Sequence, residues 1–170
     1  MILIAAAAMA SALYRAGNVT LHDLEYWKEL VVKESYAMAV LTLAVPIAAP
    51  LSAAMVILRM RPPRPPGRRL ARQPGLIACS TASGCALVVG CFVGLMAVFE
   101  ARVQPQGTAF ELGIILTPFL SGPAVLATEL TLLFNRRLQP ERSWIDRCGR
   151  AIGGFWIAAL GVAFWYLWKV

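Results

Sequence analysis

Glu129 is the one carboxylate set inside a long apolar stretch of this chain. It follows Thr117-Pro118 and Ser121-Gly122-Pro123 and precedes Leu130-Thr131-Leu132-Leu133-Phe134. A buried carboxylate on a proline-broken helix can take up a proton or a cation, and membrane transporters build midplane sites from such parts. Glu129 also stands only a few residues before Asn135 and the arginines beyond it. That depth suits an interfacial ion pair with Arg136 of the same helix face, or with Arg72 or Arg150 of neighbouring helices. A polar clamp between helices is a third role for the same side chain.

Other residue types that carry chemistry are sparse. Cys79, Cys85 and Cys91 recur every six residues. On a helix each such step turns by about 240°, so the three thiols point to three sides and form no single metal site. Cys148 falls in a basic loop, and no cysteine pair stands where a disulfide framework or a quinone-linked disulfide exchanger would need one. These cysteines read as small packing residues. The single histidine, His22, lies outside the apolar stretches, which removes axial haem ligation by buried histidine pairs. His22 beside Asp23, Glu25 and Glu29 reads as a solvated face. No Ser/His/Asp or Cys/His set and no glycine-rich phosphate loop is present. The chain is therefore expected to be non-enzymatic, with no cofactor and no metal.

The elements that must position Glu129 are four apolar stretches, about Tyr36–Leu58, Pro74–Phe99, Leu112–Phe134 and Ala151–Trp168. A helix rising ~1.5 Å per residue needs ~20 apolar residues to cross a hydrocarbon core. Hydrophobic residues make up 59% of the chain, and the mean hydropathy is +0.66, beyond the range of soluble domains. Helices satisfy their own backbone in lipid, and the alternating segments of a β-barrel are missing. The expected fold is an all-α integral membrane protein, a single domain built as a four-transmembrane-helix bundle.

The net charge of +7 resides mainly in two loops. Arg59, Arg61, Arg64, Arg68, Arg69 and Arg72 separate the first two stretches; Arg136, Arg137, Arg142, Arg147 and Arg150 separate the last two. Basic loops stay in the cytoplasm. Both termini are then expected outside, in a membrane of the bacterial inner (cytoplasmic) type, and no nucleic acid is expected to bind. The run Arg61-Pro62-Pro63-Arg64-Pro65-Pro66-Gly67-Arg68-Arg69 reads as a stiff polyproline II linker. Arg61, Arg64, Arg68 and Arg69 are its candidate contacts to anionic lipid headgroups.

Before the first stretch come two smaller segments. Met1–Leu13 is apolar but too short to span, and reads as a retained arm, with a cleaved signal segment as the alternative. Residues 20–35 read as a short amphipathic interfacial helix opened by a Thr20-Leu21-His22-Asp23 capping box. Pro46 and Pro50 should kink the first span, with Thr42 and Ser52 placed to satisfy carbonyls freed there. The second and last spans carry small residues four apart: Ser80 and Gly84, Gly90 and Gly94, Gly149 and Gly153. Such spacing lets helices approach closely. The chemistry is sparse and the packing signals are strong. Together they point to a small structural or accessory membrane protein that assembles with itself or with a larger complex. A transporter or channel subunit using Glu129 is the alternative.

Overall fold

A computed structural model describes residues 1–16, 27–28, 31, 36–61, 73–103, 108–134 and 144–169. Five helices form among them and no strand: α1 (Ile2–Ala16), α2 (Tyr36–Met60), α3 (Pro74–Val103), α4 (Thr108–Phe134) and α5 (Trp144–Lys169). The last four are long and apolar enough to cross a membrane. Of residues 20–35, Trp27, Lys28 and Val31 are described, in helical turns; the rest of the amphipathic segment, including His22, lies outside the described residues.

Four helices pack around a core of Met38, Leu41, Val45, Ala78, Ala82, Ile114, Val125, Trp156, Ala159 and Ala163. Every pair among α2, α3, α4 and α5 is in contact, and α2 with α4 is the least extensive. The bundle is thus flattened, with α3 and α5 lying between α2 and α4. Trp156 is its largest fully buried side chain. An indole N–H left unpaired in such a place is costly. It donates to Ser52 Oγ at 3.1 Å, and the Ser52 hydroxyl donates to the Ala48 carbonyl at 2.8 Å.

Helix α2 runs unbroken through Pro46 and Pro50. Proline removes one helix bond and crowds the turn before it. Ser52 serves Ala48 and Trp156 rather than the carbonyls that the prolines free. Helix α1 bonds to α2 one residue beyond the Thr42 carbonyl that Pro46 leaves free: the Tyr14 hydroxyl donates to the Leu43 carbonyl. Helix α1 packs along α2, with Ala6, Ala10 and Tyr14 buried at the four-residue spacing of one helix face.

Helix α5 starts at Trp144, seven positions before the Ala151 at which its apolar run begins. Asp146, Arg147, Cys148 and Arg150 are therefore helical, where hydropathy placed them in a loop. The extra turns are held by tertiary contact that hydropathy does not register. A Cβ on Gly75 would overlap the Asp146 carbonyl oxygen, and one on Gly149 would stand 2.7 Å from the Gly75 oxygen. The α3 and α5 backbones thus cross in direct contact, an approach that only glycine permits at both positions.

Candidate functional site

Three features beyond the apolar core stand out among the described residues: a buried charge cluster, a carboxylate with one buried oxygen that finds no hydrogen-bond partner, and an exposed face of α3.

The charge cluster joins three helix ends. Arg59, in the last turn of α2, places Nε 2.9 Å from Asp146 Oδ1. The Asp146 side chain has 0% exposure and that of Arg59 15%. The Nε–H is directed at Gln73 Oε1, 3.2 Å away at the start of α3. Neither Asp146 oxygen accepts a well-aligned hydrogen bond from any described residue, so its tie to Arg59 is one of charge. Asp146 also lies in the first turn of α5, where the helix dipole favours an anion. Met55, Leu76 and Cys79 close the cluster off from below, leaving no room for a ligand. Sequence reasoning gave Asp146 no role, because it falls before the Ala151 at which the last apolar stretch begins.

Glu129 is half-buried, on α4. Its Oε1 is buried and has no hydrogen-bond partner among the described residues. A Cβ on Gly153 would lie 3.3 Å from that oxygen and 2.8 Å from the Ala78 Cβ. Gly153 is seven positions beyond Asp146 on α5, so the Glu129 carboxylate sits about 10 Å deeper along the bundle than the charge cluster. Arg72 and Arg136 lie outside the described residues, and Arg150 is exposed.

The hydroxyl groups of the long helices mostly turn back on their own backbones. Ser80 donates to Ile77, Ser83 to Cys79, Thr117 to Gly113, Thr128 to Val125 and Thr131 to Ala127. The α3 thiols take three directions, as the 240° step requires. Cys79 Sγ lies 3.6 Å from the Gly149 oxygen of α5, Cys85 Sγ lies 3.7 Å from the Leu120 oxygen of α4, and Cys91 is exposed. No group of three or more metal-ligating side chains forms among the described residues. Of the candidate headgroup arginines, Arg61 is exposed; Arg64, Arg68 and Arg69 lie outside the described residues.

The small residues fall into three groups. Gly149 and Gly153 lie at the α3–α5 crossing, whereas a Cβ on Gly84, Gly90 or Gly94 would meet nothing within 4 Å. Gly90 lines a cavity between helices. Ser80, Gly84 and Gly94 are exposed together with Leu87, Cys91 and Val98. These six residues are spaced 4, 3, 4, 3 and 4 apart, the 3.5-residue period of a helix–helix seam. The seam lies opposite Ala78, Ala82 and Val89, the buried face of α3. Only 11% of the most apolar window of α3 is buried, against 44%, 39% and 33% in α2, α4 and α5. The heptad was present in the sequence, but four-residue pairs alone did not separate the side facing the bundle from the side facing away.

No family model, curated protein or solved structure matches this chain.

Proposed function

We propose that this protein is a non-catalytic component of a membrane assembly, and that it docks a further transmembrane helix on the outward face of α3. The observation that carries this reading is the exposed seam of Ser80, Gly84, Leu87, Cys91, Gly94 and Val98. Lipid tails are as apolar as leucine, so helices associate in a bilayer through close packing, which small residues permit. A face meant only for lipid has no need of small residues at a seam period. In this reading the basic loops lie in the cytoplasm, both termini lie outside, and Arg61, Arg64, Arg68 and Arg69 contact anionic headgroups.

The test uses Cys91 as the only cysteine, labelled in native membranes with a photoreactive maleimide. A cross-linked dimer identifies a second copy as the partner, and a larger heterologous adduct identifies a subunit of a complex. Gly84→Leu should abolish either product while leaving the fold intact, because a side chain there meets open space. Lipid adducts alone, unchanged by Gly84→Leu, overturn the proposal.

A second reading is favoured by the buried Oε1 of Glu129, which has no hydrogen-bond partner among the described residues. In it the carboxylate takes up a proton or cation beside Gly153, on a helix that carries Pro118 and Pro123. Glu129→Gln would then abolish ion flux in proteoliposomes without lowering the amount of folded protein. Retained flux, or a loss of folded protein alone, assigns Glu129 to packing.

A further inference from the structure

A cavity of about 110 Å³ lies where α1, α2, α3 and α4 meet, in the half of the bundle remote from the Arg59–Asp146 pair. Leu13, Pro46, Gly90, Val93, Phe110 and Ile114 are among the residues that line it. The only hydroxyl in the lining, among the described residues, is that of Thr117, and it already donates to the Gly113 carbonyl at 2.6 Å. A water molecule needs two to four polar partners, and apolar cavities of comparable size stay dry yet accept small hydrocarbons. A void that the surrounding helices do not close costs its lining the dispersion contacts that a guest would restore.

Two details make this a built space. Pro46, whose ring disturbs the helix around it, contributes to the wall. Helix α1 closes one side with Leu13, and the neighbouring Tyr14 hydroxyl holds it there through the Leu43 carbonyl. Gly90 leaves room on the opposite wall: a Cβ there would touch nothing within 4 Å.

We infer that this cavity receives the end of a hydrocarbon chain, acyl or isoprenoid, belonging to a membrane lipid. The bilayer supplies such chains at the cavity mouth, the one hydroxyl of the described lining already donates to the Gly113 carbonyl, and the volume admits a chain end but no headgroup. Helix α1 acts as the cover that retains it. The inference stands apart from the seam on α3: Val93 lies on another side of the helix, and Gly90 is not one of the seam's six residues.

The experiment uses the full chain in nanodiscs with two photoreactive probes. One is a phosphatidylcholine with a diazirine at the end of one acyl chain; the other is a geranylgeranyl ether with a terminal diazirine. Labelled peptides are mapped by mass spectrometry. The expected result is preferential labelling of Val93, Phe110 and Ile114 over Leu130, an exposed residue of α4, by one or both probes. The probe captured identifies the source of the chain. Gly90→Leu fills the cavity and should remove this preference, and Ala86→Leu, on the same wall, serves if the first variant does not fold. Uniform labelling of apolar surface residues by both probes, unchanged by a filling variant that folds, overturns the inference.

Discussion

Replacing Arg59 by methionine tests the charge cluster most directly. The substitution leaves Asp146 with 0% side-chain exposure and without its counter-charge at 2.9 Å. At that separation, and at an effective dielectric of ~20, two unit charges attract by about 6 kcal/mol. Much of that gain offsets the cost of desolvating both ions, and removing one partner of a buried pair typically costs about 3–5 kcal/mol. For a chain of this size each kcal/mol moves Tm by about 2–4 °C, so the expected fall is roughly 6–20 °C. Asp146→Asn should cost less, because Arg59 keeps 15% exposure and can turn toward water. In the double variant neither position carries a charge, so its loss should fall short of the sum of the singles. Thermal unfolding in nanodiscs, followed by tryptophan fluorescence for all four proteins, completes the cycle. Additive losses, or an Arg59→Met cost below about 1 kcal/mol, would place this pair with solvent-exposed ion pairs and refute the argument.

Three further outcomes follow from the packing. Gly75→Ala drives a methyl into the Asp146 carbonyl oxygen and should destabilise by about 1–3 kcal/mol or more, whereas Gly84→Ala, over open space, should leave Tm unchanged or slightly raised; the two melting curves decide. Trp156→Phe removes the bond to Ser52 Oγ and should cost about 1 kcal/mol beyond any packing loss. Adding Ser52→Ala to the Trp156→Phe variant should then change little, read by the same unfolding assay. Tyr14→Phe should raise amide hydrogen exchange across α1 with little change in α3–α5, because it removes the hydroxyl bond to Leu43. Burial pushes the Tyr14 phenol above its ordinary value of 10.0. The stabilisation from a neutral phenol is therefore complete below that value and is lost as the pH rises through the raised one. Protection factors across α1 of the unmodified protein, taken relative to intrinsic exchange at each pH, should accordingly fall above pH 10 while those of Tyr14→Phe do not.

Sequence alone determined the four apolar helices and their approximate limits, since length and hydropathy are local properties that a bilayer reads residue by residue. It also determined the three directions of Cys79, Cys85 and Cys91, because helical geometry requires nothing beyond spacing. It singled out Glu129, a lone acid against an apolar background. Tertiary structure alone decided which small residues meet a neighbour. Gly75 and Gly149 touch across a helix crossing while Gly84 and Gly94 look outward, although all four are glycines in apolar helices. It also turned Asp146 from a loop charge into the buried partner of Arg59. The physical reason is common to both: a glycine's contact and a carboxylate's burial depend on which distant backbone comes within a few ångströms, and local sequence holds no record of that distance.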